Sequence, residues 1–324
     1  MGPLTFKALR HIADGRFHSG SDIARALGRS RAAVSETLKG AALLGVEVFA
    51  VHGKGYRLAE PIEFLDAHRI VPLLGEAASR VRLTLLDEAD STSTRAASLA
   101  QAGAPSGSCV AAEWQKAGRG RRGRAWQSGL GASLTFSLVW RFEQGAGHLA
   151  GLSLAVAVAL ARALEASGVE GVGVKWPNDL VRDWKKLGGI LVETSGEMLG
   201  PTVAVIGVGI NYRLGEALLA RIDQPATDAA SGTRTLPSRN ALLASLVAEL
   251  VDSLDRFGRE GFAAFRDEWR ARHAYAGRFV TVTEGESPPH EAKVVDVADD
   301  GALLVSAGGA LSRLTSAEIS LRPA

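Results

Sequence analysis

Cysteine is almost absent: the 324-residue chain has one, Cys109. A single thiol closes no internal disulfide and builds no thiolate zinc cluster, and it fits a reducing cytoplasm. The seven histidines, among them His11, His18, His148 and His273, are scattered without metal-ligand spacing. Long apolar runs are missing too. The longest, Leu152 to Leu164, is interrupted by Arg162 and is too short to span a bilayer. The N-terminus lacks a charged-then-apolar secretory pattern. Charge of one sign is scarce: 37 basic against 35 acidic residues leave a net +2, so any basic site has to be local. No G-x-S-x-G elbow and no G-x-x-x-x-G-K-[ST] loop occurs. There is no internal repeat and no low-complexity tract.

What is present is globular in composition, 46% hydrophobic and 22% charged, enough to bury a sizeable core. The length predicts about two domains, or three if some are small. Leu4 to Ala13 has helical apolar spacing. Ser21 and Asp22 are N-cap candidates for a helix over Ile23–Leu27, Gly28 breaks it, and Ser30 can cap a second helix from Arg31 to Leu44. Helix, Gly-containing turn and helix have helix-turn-helix spacing. Val46–Val51 alternates like a strand and Tyr56–Leu58 reads as its return, so this hairpin predicts a wing. Ile62 to Gly75 reads as a linking helix.

From Arg80 the texture changes. Strands are expected at Val81–Leu86, Ser108–Glu113, Ser133–Phe142, Gly173–Trp176, Lys186–Glu193 and Pro201–Val208. Helices are expected at Ser91–Ala102, Leu149–Ala166, Arg239–Phe257 and Gly261–His273. Four short strands over the last fifty residues suggest a small β-barrel.

The segment Gly118-Arg119-Gly120-Arg121-Arg122-Gly123-Arg124-Ala125-Trp126 stands out. Its glycines let backbone N–H groups approach an anion, its arginines offer forked donors for carboxylate and phosphate, and Trp126 adds an aromatic plane. It matches G-x-G-x-x-G, but no helix begins inside it, which argues against a dinucleotide fold. Gly145-Ala146-Gly147-His148 opens a helix yet lacks the acidic residue about 20 positions on that this fold requires. Taken alone, the Arg-Gly loop also fits a solvated basic turn or an RNA-binding segment. Lys175-Trp176-Pro177-Asn178-Asp179 is turn chemistry. It precedes Lys186, at the base of an apolar strand beside Gly188 and Gly189, where an amine can bridge two anions or simply be a surface hairpin lysine. Asn211 ends the Gly207-Val208-Gly209-Ile210 strand, able to read a nucleotide or to cap a turn. Ser91, Thr92 and Ser93 sit at a strand-to-helix junction, as caps or as partners of a polar head group. Cys109 lies in an apolar run and reads as core.

Together these segments resemble the biotin–protein ligase family in its bifunctional form, the biotin operon repressors. Phe17-His18-Ser19-Gly20, Ser30-Arg31-Ala32-Ala33 and Gly53-Lys54-Gly55-Tyr56 look like the family's winged-helix region. Gly118–Trp126, Lys175–Leu180, Lys186–Glu193 and Gly207–Asn211 look like its ligase signatures, and Glu318-Ile319-Ser320-Leu321-Arg322 like its last strand. The resemblance implies an α+β chain with a winged helix-turn-helix over 1–62 and a ligase domain over 66–274. The ligase domain has a central mixed or antiparallel sheet with helices, like class II synthetases, and a small barrel follows over 275–324.

It implies that biotin and ATP, with Mg²⁺, give biotinyl-5′-AMP, and that the acyl group passes to a lysine of a biotin carboxyl carrier protein. Ser91, Thr92, Ser93 and Gln115 would meet the biotin head. Gly118, Arg119, Gly120 and Arg121 would close over biotin and the α-phosphate. Lys186, with Arg121, would act catalytically between carboxylate and phosphate. Trp126, Asn178, Asp179 and Asn211 would face the adenylate, and Asp179 would link to Mg²⁺. Ser30, Arg31, Ser35, Lys39 and Lys54 would contact operator DNA, bound by a homodimer. Ser93 stands where the family often has Asn. A ligand-sensing transcription factor without ligase activity and a lipoate–protein ligase are the competing expectations.

Overall fold

The computed structural model describes residues 2–196, 200–285, 287–315 and 318–321. The chain starts with α1 (Pro3–His11), α2 (Gly20–Leu27) and α3 (Arg31–Lys39), followed by the antiparallel hairpin β1 (Val48–Val51) and β2 (Gly55–Leu58). Phe6, Leu9, Ile12, Ile23, Val34, Leu38 and Leu58 form its core. The cap of α2 is Ser19, whose hydroxyl accepts from the amide of Asp22, rather than Ser21 or Asp22. The chain enters that helix from an extended residue one turn earlier than apolar spacing suggests. Ser30 caps α3 as expected, accepting from Ala33. That helix stops at Lys39, because Gly40 starts a tighter 3₁₀ turn to Leu44. Gly55 pairs with no room to spare: a Cβ there would lie 2.0 Å from the carbonyl oxygen of His18, and its φ of 100° also favours glycine.

The expected 62–75 helix is confined to α4 (Ala67–Leu73), capped by Asp66. Residues 63–66 are instead held extended by a buried polar knot. Arg239 and Glu113, side chains only 1% and 2% exposed, pair at 2.9 Å. Glu113 also accepts from the Leu65 amide, and Arg239 donates to the carbonyls of Glu63 and Ser133. Both terminal guanidinium nitrogens of Arg239 and both carboxylate oxygens of Glu113 are engaged, while Arg239 Nε is buried without a partner, and removing one member of such a pair costs about 3–5 kcal/mol.

The centre is a seven-stranded mixed sheet. Its strands are β3 (Arg82–Ala89), β4 (Ser108–Gln115), β5 (Ser133–Phe142), β6 (Gly173–Lys175), β7 (Asp179–Arg182), β8 (Lys185–Gly196) and β9 (Thr202–Asn211), in spatial order 3-4-5-9-8-7-6. Among the described residues only β3 and β4 of this sheet pair in parallel, joined by α5 (Thr92–Gln101). One face, with Leu134, Phe136, Leu138 and Trp140, packs on α6 (Leu152–Ala166) and α8 (Arg239–Glu260), and α9 (Ala263–Arg272) packs on α6. The other face meets α5 through Ala96, Val110, Val139 and Val205. β7 was unmarked in the sequence, where its Asn-Asp start reads as a turn. Between β9 and α8, α7 (Glu216–Leu219) adds one short turn.

The C-terminal strands β10 (Phe279–Thr283), β11 (His290–Val297), β12 (Leu303–Ala307), β13 (Ala310–Leu314) and β14 (Glu318–Leu321) form an antiparallel sheet in the order 13-12-11-10-14. The expected barrel is therefore corrected to an open sheet: among the described residues β13 and β14 exchange no ladder. Short strands and turns predict a curled antiparallel sheet, but closure needs a register between first and last strands that local patterning does not encode. Arg322, expected in this last strand, lies outside the described residues. This sheet touches the central-sheet core through the turn before β12. The Trp176 indole donates to the Gly301 carbonyl at 3.0 Å.

Candidate active site

Strand register lays out the site. On the α5 side of the sheet, Asp179, Gly189, Gly209 and Thr135 form one cross-strand row, and Leu191, Gly207 and Ser137 the next. Three glycines therefore leave the middle of this face bare. The bareness is used. A Cβ on Gly209 would fall 2.4 Å from the Trp126 ring, and one on Gly207 would fall 2.4 Å from the Ser93 hydroxyl. Over this floor opens a cleft of about 490 Å³, within the ordinary size of a small-molecule site.

The Arg-Gly segment forms its lid. It is a compact hairpin: Trp126 N–H bonds to Gly118 O at 2.8 Å and Gly120 N–H to Arg124 O at 2.7 Å, around a turn in which Arg122 has φ 54°. A Cβ on Gly118 would meet the Trp126 carbonyl at 2.6 Å. Gly118 does not line the cleft and instead lets the two hairpin arms close. Arg119 ion-pairs with Glu193 on β8 at 2.5 Å and touches Thr94. Arg121 reaches Asn178 Oδ1 at 3.4 Å, and the Asn178 amide donates to Ile190 O. The Trp126 indole lies on the glycine floor with its N–H buried and unpartnered.

At one end of the cleft lie Ser91, Thr92, Ser93 and Gln115, all buried. Ser91 makes no capping bond, contrary to the cap reading. The helix N-terminus is satisfied by Gln115 instead, whose Oε1 accepts from the Thr92 amide at 2.7 Å. The hydroxyls of Thr92 and Ser93 turn inward to Ser137, at 2.8 and 3.1 Å. At the other end, Lys186 Nζ stands 2.9 Å from Asp179 Oδ1. That oxygen has no aligned hydrogen-bond donor, so the contact is an ion pair. Lys186 is also 6.0 Å from the Trp126 ring centroid. Asn211 lines the cleft, yet both its amide protons are used, on Lys186 O and Thr227 O. It therefore fixes the strand that carries Lys186.

Every residue expected to face biotin or the adenylate thus lines one cleft, except Gly118 behind it. The sequence reading missed Ser137 and Glu193. Ser137 had a faint signal, since Ser133, Thr135 and Ser137 alternate with Leu134, Phe136 and Leu138, a hydroxyl stripe on a buried strand. It also missed Arg221, Asp223 and Gln224, from the polar loop after β9. The residues expected on DNA lie elsewhere, around α3 and the β1–β2 turn. Arg31, Lys39 and Lys54 are exposed there and Ser35 is half-buried. Lys39 pairs with Glu36 at 3.3 Å, and Ser30 serves as the α3 cap.

Cys109 is fully buried, and burial pushes its thiol up to about 12, which removes it as a nucleophile. Among the described residues no three His, Cys, Asp or Glu side chains gather as a metal cage, and no helix is long and apolar enough to cross a membrane.

Residues 85–211 match the biotin/lipoate A/B protein ligase family, and residues 275–322 match the biotin protein ligase C-terminal domain. The bifunctional ligase/repressor BirA of Salmonella typhimurium is 39% identical over 99% of this chain and 98% of its own length. That of Escherichia coli is 38% identical over the same shares. Among solved structures, the biotin protein ligase of Aquifex aeolicus in complex with biotin and ATP superposes with a TM-score of 0.62 at 26% identity, over 75% of this chain and 99% of that one. The glycine floor, the Arg-Gly lid and the buried hydroxyls all fall within the matched segment. The chain belongs to the biotin/lipoate A/B protein ligase family, in its bifunctional ligase/repressor branch.

Proposed function

We propose that this chain is an ATP-dependent biotin–protein ligase that also represses transcription. The observation that carries the reading is the single cleft with a buried hydroxyl slot at one end and Lys186 at the other, under a lid of arginines. A carboxylate and a triphosphate repel each other, and that repulsion is a large part of the barrier to joining them. Lys186 Nζ, held by an ion pair rather than by an aligned bond, turns to the biotin carboxylate and the α-phosphate. Arg119 and Arg121 close the lid over them. Fixed cations of this kind are worth several kcal/mol at a developing charge, and holding both reactants in one cleft supplies more. The carboxylate oxygen attacks the α-phosphorus, pyrophosphate leaves, and the lid then keeps water from the mixed anhydride. The acceptor lysine of a biotin carboxyl carrier protein attacks the acyl carbon and AMP departs. No enzyme nucleophile is required, in keeping with the buried Cys109.

The Trp126 plane and Asn178 face the adenylate, and Asn211 supports them from β9. Magnesium is commonly bound through one or two protein carboxylates together with nucleotide phosphates. Asp179, whose Oδ1 lacks an aligned donor, suits that task. The ion would offset phosphate charge. The N-terminal helices and hairpin are read as a winged helix, with α3 entering a major groove of operator DNA. Ser30, Arg31 and Ser35 lie toward the bases, and Lys39 and Lys54 toward phosphates. Half-sites are bound by a homodimer formed with ligand, in the cytoplasm.

The test is incubation with biotin, ATP, Mg²⁺ and a carrier domain. Pyrophosphate release and biotin on the carrier are expected. Release with lipoate instead of biotin would move the assignment to lipoate–protein ligase. No release with either, but ligand-dependent DNA binding, would leave a sensor without ligase activity.

A further inference from the structure

Ser137 lies behind the head-group slot, on β5, fully buried and outside the cleft lining. Its hydroxyl is flanked by two others, Thr92 Oγ1 at 2.8 Å and Ser93 Oγ at 3.1 Å. Both of those side chains line the cleft. Among the described residues Ser137 Oγ has no other hydrogen-bond partner. Three hydroxyls carry three protons, and the two contacts consume two of them. If Thr92 and Ser93 both donated to Ser137, the proton of Ser137 would be left buried without an acceptor, which is costly. The chain of bonds therefore runs one way. One flanking hydroxyl donates to Ser137, Ser137 donates to the other, and the spare proton belongs to a hydroxyl that faces the cleft. The slot thus presents one hydroxyl as a donor and its neighbour as an acceptor.

Gly207 makes this arrangement possible. A Cβ there would lie 2.4 Å from Ser93 Oγ and 3.5 Å from Ser137 Oγ, so a side chain would break the relay. Gln115 is held in place by the Thr92 amide, which donates to its Oε1, and it lines the cleft beside these hydroxyls.

We propose that Ser137 is a positioning residue that sets hydrogen-bond polarity in the slot, and so selects acids whose head carries a carbonyl beside an N–H, as a cyclic urea does. The inference rests on the biotin reading above and deepens it. A dithiolane head offers neither group, so the same relay disfavours lipoate. Ser137 touches no substrate and acts through Thr92 and Ser93.

The experiment compares adenylate formation from biotin and from 2-iminobiotin, whose urea carbonyl is replaced by a nitrogen that can donate. In Ser137→Ala the two cleft hydroxyls lose their common partner and rotate freely. The KM for biotin is expected to rise about tenfold, and the preference for biotin over 2-iminobiotin to fall by a similar factor. The KM for ATP should stay near the wild-type value. Ser137→Thr, which keeps the hydroxyl, should retain the preference. Ser137→Cys, which keeps the size but bonds weakly, should lose it and serves as the measurement if the alanine variant does not fold. An unchanged preference in both the alanine and cysteine variants, or an equal loss for both ligands, would overturn the proposal. A wild-type enzyme that makes no adenylate from biotin would overturn the biotin reading itself, a failure visible before any variant is made.

Discussion

Gly209→Ala is a small change with a calculable consequence. The new Cβ would sit 2.4, 2.6 and 2.9 Å from three carbons of the Trp126 ring, whereas carbon atoms rest about 3.5–4.0 Å apart. The backbone offers no objection, since Gly209 is in ordinary strand conformation rather than the left-handed region. The sheet will not move, being paired on both sides of β9, so the indole must lift by about 1 Å. Trp126 ends the Arg-Gly hairpin, and the displacement carries Arg121 and Arg119 with it. A misplacement of that size at a reacting centre costs on the order of a hundredfold in rate. Steady-state pyrophosphate release is therefore expected to lose about 10²-fold in kcat/KM for ATP, with little change in melting temperature because the lid yields and the core does not. Gly189→Ala offers a graded control. Its Cβ would be 3.3 Å from Trp126 and from Lys186, a contact a small shift relieves, so its loss should be several times smaller. If Gly209→Ala keeps kcat/KM for ATP within about threefold of wild type, the indole does not work on this floor and the placement of the nucleotide here is wrong.

Lys186→Ala should abolish most adenylation, read as pyrophosphate release, while circular dichroism stays native; near-normal release would remove Lys186 from the chemistry. Arg121→Gly takes away the tether to Asn178 and should let biotinyl-AMP escape into solution, detected by chromatography of the filtrate, whereas retention as tight as wild type would count against the lid. Burial lowers His273 to about 4 from 6.5, with its Nε2 unpartnered and its ring 4.3 Å from that of Trp269. The unfolded chain then binds a proton that the folded one refuses. Stability is full above pH 6.5 and drains as pH falls toward 4, by up to about 3 kcal/mol. His273→Phe should flatten that part of a urea-denaturation profile, and an unaltered acid slope would contradict it. Cys109 should resist iodoacetamide in the native enzyme and react in denaturant, as mass spectrometry would show; rapid native labelling would refute its burial.

Local chemistry alone carried much of this protein. Alternation at Leu134, Phe136, Leu138 and Trp140 specified β5 to the residue, because a strand buried against helices on one face has to repeat every second position. The Ser30 cap, the apolar α6 and the Arg-Gly and Lys-Trp-Pro-Asn-Asp segments were equally legible, since capping, burial and anion binding each demand particular residue types at short range. Tertiary structure decided the rest. That Gly189, Gly207 and Gly209 form one floor follows from the pairing of β8 with β9, and no single strand states its register. That Gln115, not Ser91, satisfies the start of α5 depends on β4 lying beside that helix. That Ser137 governs two residues 44 and 45 positions away depends on β5 passing beneath α5. The open C-terminal sheet has the same origin. Short-range patterns choose the strands, but contacts between distant segments choose which strands meet, and both the site and the sheet edges belong to those contacts.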